Sequence, residues 1–285
     1  MTQPVFGSQG TNLYFEQEMG MRELVAITAD RLKILGDNIR FVVTVGPARS
    51  GTTALQVLAS QNPEVLCAEF QPMKHLLRHG ATAQSFLYER FGVNGRPGVI
   101  LFKETLGPAR DIECHLDPVS VLLQAGVAAE RISALYILRH PYRSFFSWMR
   151  LIEADPQKFV QCQSTVVSSF ARYYGKIGSC IPFFYEAFAD GRIQQKINAI
   201  FAELGLAEVG DLGFSQQALL ERNKWNEGEQ KYYWDNVISG IVDRGSFQYV
   251  GNELPYLSDQ SVSALQPAVI QYEEWTQLTS QIFTF

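Results

Sequence analysis

Gly46-Pro47-Ala48-Arg49-Ser50-Gly51-Thr52-Thr53 is the stretch of this chain whose residue types and spacing carry the most chemistry. It follows the β-branched run Phe41-Val42-Val43-Thr44-Val45 and precedes a helical apolar pattern at Ala54, Leu55, Leu58 and Ala59, so it reads as strand, anion-binding loop, helix. Two glycines five apart let backbone N–H groups turn inward around a phosphate, and the following helix aims its unpaired N-terminal donors and dipole at the same point. A nucleoside-triphosphatase loop needs Gly-x-x-x-x-Gly-Lys-Ser/Thr, in which the lysine reaches the β/γ-phosphates and the hydroxyl holds Mg²⁺. Thr52 stands at that lysine position, and the cation has moved inside the loop to Arg49. From there it can reach an oxygen beyond a 5′-phosphate rather than a γ-phosphate, an arrangement that suits transfer from a mixed phosphate anhydride.

A second stretch, Tyr136-Ile137-Leu138-Arg139-His140-Pro141-Tyr142-Arg143-Ser144-Phe145-Phe146-Ser147, reads as a strand ending in arginine and a proline-led helix with a serine eight residues on. Proline suits the first turn of a helix, and an arginine at a strand's carboxyl end can fork onto phosphate oxygens. Together the two stretches resemble the sulfotransferases that use 3′-phosphoadenosine 5′-phosphosulfate, whose first motif commonly reads Pro-Arg/Lys-Ser-Gly-Thr-Thr after a strand. Ala48 looks inserted in that pattern, and His140 stands where the family usually has an acidic residue. The resemblance implies that Arg139 and Ser147 bind the donor's 3′-phosphate. It also implies that Arg49, Ser50, Gly51, Thr52 and Thr53 hold its 5′-phosphate.

Two carboxylates compete for the role of general base. Glu69 closes Val65-Leu66-Cys67-Ala68-Glu69, just after the loop-starting helix, and this segment resembles the Cys-Gly-Glu of protein-tyrosine sulfotransferases, where the Glu is the proposed base. Its bland reading is a surface or helix-capping carboxylate. Lys103 and Glu104 emerge from the apolar strand Val99–Phe102, and Lys103 matches a family lysine near the transferring group. In the small-molecule enzymes a histidine follows that lysine by two, and here Thr105 takes its place. Glu104 is therefore the runner-up base, and its bland reading is an ion pair with a neighbouring Lys or Arg. Geometry must choose between them. Arg244, Gly245 and Ser246 resemble a third, weaker family element closing over the 3′-phosphate, with an ordinary surface turn as the alternative. Trp225, Tyr232, Tyr233 and Trp234 read as core residues before they read as a substrate box, although an aromatic stripe beside the site could stack on adenine or an aromatic acceptor. His75, His79 and His115 have no supporting context, and no metal, nucleophile elbow or covalent intermediate is expected.

These motifs need a scaffold, and the chain is large enough for one. With 285 residues and 46% hydrophobic content it can bury one α/β domain, expected over residues 18–285 behind a possible loose arm at 1–17. A helix is expected over Met21–Leu35, core strands at Phe41–Val45, Val99–Phe102, Ser133–Leu138 and Ile181–Phe184, and helices between them, including Ile193–Leu204 after Tyr185-Glu186 and one near Asn236–Ile241. Such alternation predicts a single α/β domain with a central parallel sheet flanked by helices and ligands at the strands' carboxyl ends, and the resemblance implies that this fold is P-loop-containing and sulfotransferase-like. A net charge of −5 argues against general nucleic-acid binding. Four scattered cysteines, no signal peptide and no long apolar span point to a soluble cytoplasmic protein. The expected function is sulfuryl transfer from 3′-phosphoadenosine 5′-phosphosulfate, leaving adenosine 3′,5′-bisphosphate, to a hydroxyl on a small molecule, carbohydrate or peptide. An atypical kinase and a non-catalytic adenosine-bisphosphate-binding module are the alternatives.

Overall fold

The computed structural model describes residues 19–33, 35–80, 96–107, 109–150, 154–214, 243–251 and 254–282. Its centre is a parallel sheet in which β1 (Ile39–Pro47) is flanked by β3 (Gly98–Leu106) and β4 (Ile132–Leu138), with β2 (Val65–Phe70) and β5 (Ser179–Phe184) outside them. Strands buried on both faces must be apolar on both. Phe41, Val43 and Val45 accordingly enter one core with Ile100, Phe102, Tyr136 and Leu138, while Val42 enters a second with Val99, Leu101, Leu135 and Ile137. Pro182, which cannot donate to a ladder, lies on β5 at the end of the strand order.

Helices close both faces. The first core is covered by α1 (Met21–Leu32), α5 (Pro118–Gln124), α7 (Pro156–Tyr173) and the C-terminal α9 (Asp259–Ile282), and the second by α2 (Thr52–Ala59) and α8 (Ile193–Glu203). Three further α-helices are α3 (Pro72–His79), the one-turn α4 (Asp111–Cys114) and α6 (Pro141–Met149). From β1 the chain crosses towards β2, and from β4 it crosses the other way to β5. The crevice beyond the carboxyl ends of β1 and β4 is thus the topological switch point where such sheets bind ligands.

The α/β class and the parallel sheet agree with the sequence reading, and four strands fall where the apolar runs are. The fifth, β2, was not anticipated. Its residues Cys67 and Ala68 are fully buried against β3, but six residues with a bulge at Val65/Cys67 carry no clean alternation. The strands also run further than their apolar cores: Lys103, Glu104 and Thr105 are strand residues because they pair with Thr44, Val45 and Gly46. Helix α1 stops at Leu32, three residues earlier than expected. The arm at 1–17 and the helix near Asn236–Ile241 lie outside the described residues.

Candidate active site

The loop between β1 and α2 is shaped by backbone that few residues can adopt. Gly46 sits where an added Cβ would stand 2.5 Å from Ser50 Oγ and 2.6 Å from the Ile137 carbonyl. Arg49 and Gly51 both have positive φ, 72° and 94°, and at Gly51 a Cβ would meet the Tyr185 ring at 2.5 Å. The non-glycine Arg49 holds a conformation that costs about 1–2 kcal/mol, a kind of strain that clusters at ligand sites. Ser50 N–H donates to the Pro47 carbonyl and Ala48 N–H to that of Leu106, which ties the turn to β3. Helix α2 then starts at Thr52 with no side chain capping its first turn. Ser50 Oγ is buried without a hydrogen-bond partner. Free backbone donors and an unpartnered hydroxyl are what an anion cradle presents.

The second motif folds onto this loop. Arg49 Nε donates to Ser147 Oγ at 2.8 Å, joining two residues 98 apart in sequence, and one Arg139 Nη lies 3.4 Å from the Arg49 carbonyl. The Arg139 guanidinium also rests over the Tyr185 ring, 4.9 Å from its centroid, and donates to the Val250 carbonyl. Trp148 Nε1 donates to the Ala48 carbonyl, so α6 braces the loop directly. Glu186 receives the His140 N–H at 3.1 Å and the Tyr272 hydroxyl at 2.7 Å on one oxygen, while its other oxygen faces Arg139 and Arg143. Tyr185, which packs on Gly51, is named in the sequence reading only as a strand end before a helix and has no site role there. The Tyr-Glu pair closing a strand was its only signal.

Segment 243–251 reaches the same crevice. A bridge between Gly213 and Ser246 and the buried Phe247 anchor it, and the Tyr185 hydroxyl donates to the Gln248 carbonyl and accepts from Val250 N–H. Arg244 and Gly245 are exposed. The segment's contacts with Arg139 and Arg143 come instead from Val250 and Tyr249.

The acid–base candidates occupy the neighbouring strand ends. Glu69 is no surface group: it is buried on β2, with Cys67 Sγ 3.7 Å from its carboxylate. In register it pairs with Phe102, whereas Lys103 pairs with Phe70 and Thr44. Because alternate strand residues face opposite sides, Glu69 and Lys103 leave the sheet from opposite faces, and Glu104 shares the face of Glu69. The Lys103 ammonium sits 5.3 Å from the Phe70 ring centroid. Burial lowers its pKa to about 7, helped by Lys74 and Arg49 and opposed by Glu104.

Glu104 is fully buried and spends its carboxylate on the start of α3, accepting Met73 N–H at 2.7 Å and Lys74 N–H at 3.4 Å. Burial raises its pKa to about 7 against the pull of those bonds and of Lys74. This is a helix-capping arrangement that the sequence reading did not foresee. Lys74, also missed, donates to the Thr105 and Gly107 carbonyls and pairs with Glu113, which Arg78 holds from the other side. Nothing local marks Lys74 as buried, since its partners are more than thirty residues away. His75 is buried on α3 and His115 is exposed after α4, while the side chain of His79 and the aromatics Trp225, Tyr232, Tyr233 and Trp234 lie outside the described residues.

No protein-family model matches the chain, and no curated protein does. Among solved structures, mouse sulfotransferase SULT7A1 complexed with PAP aligns over 91% of this chain and 89% of its own, at 14% identity and a TM-score of 0.42. The sulfotransferase domain of the Synechococcus PCC 7002 olefin synthase aligns over 82% and 95%, at 13% identity and a TM-score of 0.39. The architecture of the present chain rests on its own parallel sheet and on the loop and helix termini gathered at the β1/β4 crevice.

Proposed function

We propose that this chain is a sulfotransferase that takes its sulfuryl group from 3′-phosphoadenosine 5′-phosphosulfate and delivers it to an acceptor hydroxyl on a small molecule, carbohydrate or peptide. One observation carries the reading: the two motifs lie against each other, with Arg49 Nε 2.8 Å from Ser147 Oγ. Arg139 lies beside them, over a tyrosine that packs on Gly51. Ser50 Oγ and Arg139 Nε, both buried without a hydrogen-bond partner, fit a ligand that brings acceptor oxygens to both halves of the crevice.

In this reading the N–H groups of Gly51 to Thr53 and the hydroxyls of Ser50, Thr52 and Thr53 hold the 5′-phosphate, and Arg139 and Ser147 hold the 3′-phosphate. When bound, the donor supplies a sulfuryl group on a phosphate leaving group. Glu69 accepts the proton of the acceptor's hydroxyl as that oxygen bonds to sulfur, and Arg49 offsets charge on the oxygens of the bond that breaks, with Lys103 a further cation at the strand ends on the opposite face of the sheet from Glu69. Arg49 is turned towards Ser147 and must swing from it to reach that bond. Glu69 is the base in this reading because its segment carries the likeness to the tyrosine-modifying enzymes, while Glu104 serves two backbone N–H groups at the start of α3.

Thermal unfolding with added nucleotide tests the proposal. Adenosine 3′,5′-bisphosphate without Mg²⁺ should raise Tm more than ATP does with or without it, since tight binding to the folded state alone stabilises it by mass action. Equal or greater Mg²⁺-dependent stabilisation by ATP would refute the donor assignment and favour a kinase.

A further inference from the structure

Four residues beyond Arg139, the first turn of α6 carries a second arginine into the same crevice. Arg139 Nε and one Arg143 Nη lie 3.9 Å and 3.7 Å from the same oxygen, Glu186 Oε1. Neither approach is short enough for a hydrogen bond. The other Glu186 oxygen is engaged by the Tyr272 hydroxyl and the His140 N–H, so the carboxylate is held from α9 and from the start of α6. Segment 243–251 also treats the two arginines as a pair. Consecutive residues take one each: the Tyr249 hydroxyl accepts from Arg143 at 2.8 Å and the Val250 carbonyl from Arg139 at 3.2 Å.

This leaves an imbalance of charge and of hydrogen bonds. Among the described residues two guanidinium groups face one carboxylate there, an excess of one positive charge. Arg139 Nε, Arg143 Nε and Glu186 Oε1 are all buried without a hydrogen-bond partner. Folded proteins rarely leave such groups unpaired, because each forfeits the hydrogen bonds it makes to water in the unfolded chain. A phosphate monoester answers the excess charge and the two unpaired Nε–H donors, with close to two negative charges near neutral pH and three acceptor oxygens, while Glu186 Oε1 keeps the two guanidinium groups as its ion-pair partners.

We infer that Arg143 is a second cation of the 3′-phosphate subsite, and that Glu186, held by Tyr272, is the counter-ion that keeps Arg139 and Arg143 side by side. This rests on the donor reading above and adds a specificity-determining residue to it. Glu186 screens the repulsion between the two guanidinium groups, and the remaining charge selects a nucleotide that carries a 3′-phosphate.

The test is the ratio of two dissociation constants, for adenosine 5′-monophosphate and for adenosine 3′,5′-bisphosphate, measured by calorimetric titration. In Arg143→Gln the ratio should fall about tenfold, the scale of a lost charge-assisted bond, while 5′-monophosphate affinity is kept. Tyr272→Phe should lower it by a smaller factor. A merely structural Arg143 would weaken both nucleotides equally or neither, and an unchanged ratio overturns the inference. If Arg143→Gln does not fold, Arg143→Lys keeps the charge but loses the fork. A severalfold loss of the ratio is then expected, and an unchanged ratio in that folded variant overturns the inference equally. Failure of the wild-type protein to prefer the bisphosphate would instead refute the donor reading itself.

Discussion

Replacing Glu104 by glutamine separates a buried helix cap from a catalytic base, and the pH dependence of stability reports the difference. In the folded protein the carboxyl has a pKa raised from 4.5 to about 7, chiefly by burial. Below pH 4.5 it is protonated in folded and unfolded chains alike, and its stabilising contribution is fully present. Between pH 4.5 and 7 the unfolded chain sheds the proton while the folded one keeps it, so stability falls as pH rises. At about 1.4 kcal/mol per unit, the 2.5-unit shift corresponds to about 3 kcal/mol lost by the time pH passes 7. Glutamine keeps an oxygen for Met73 N–H and has no proton to lose. Its stability relative to wild type should therefore improve by about 3 kcal/mol between pH 4 and pH 8, whatever the offset at either end. Urea unfolding followed by tryptophan fluorescence reads this directly, since Trp148 and Trp275 are both buried. A wild-type-to-variant difference that stays constant within about 1 kcal/mol over that range would refute the reasoning. A difference that moves in favour of wild type would mean that the α3 N–H groups and Lys74 outweigh burial and hold the carboxylate ionised.

Glu69→Gln should keep donor binding and lower turnover by about 10²-fold or more, as measured with labelled donor and a screened acceptor, whereas Glu104→Gln should retain more activity; the opposite order would transfer the role of base to Glu104. Arg139→Ala should weaken adenosine 3′,5′-bisphosphate binding about tenfold to a hundredfold in calorimetry, with Ser147→Ala doing less, and unchanged affinity in a folded Arg139 variant would remove that subsite. Gly51→Ala should destabilise the fold by about 2 kcal/mol or more in urea unfolding, because it combines positive φ with a Cβ forced against the Tyr185 ring. Lys103, with its pKa lowered to about 7, adds stability as pH rises from 7 towards 10.5, where the unfolded chain holds a proton that the folded one has lost. Lys103→Met should abolish that rise, and an unaltered alkaline limb would show that burial does not shift the lysine.

Residues 46–53 and 139–147 were legible from the sequence because their signals are local. A glycine at positive φ, a proline at a helix start and a β-branched run before a loop each act through neighbours a few residues away. The same locality located the cores of β1, β3, β4 and β5. It failed at β2, where a short bulged strand owes its existence to pairing with Val99–Lys103 more than thirty residues on. It failed again at the polar ends of β3, whose strand character is imposed by β1.

What only the tertiary structure decided are the partnerships across long separations. Glu104 looks like a site carboxylate in sequence, and only the packing of α3 turns it into a cap. Glu69 and Lys103 both stand at strand ends, but strand register sends them to opposite faces, and register depends on which strands pair. Tyr272 lies 86 residues from Glu186, and Arg143 106 from Tyr249, yet each pair shares a hydrogen bond. Residue types and short spacings determined that the chain would turn from strand to helix through a glycine-bearing loop and would end another strand in an arginine. The arrangement of their charges depended on which buried polar groups had to find partners once sheet and helices closed over them.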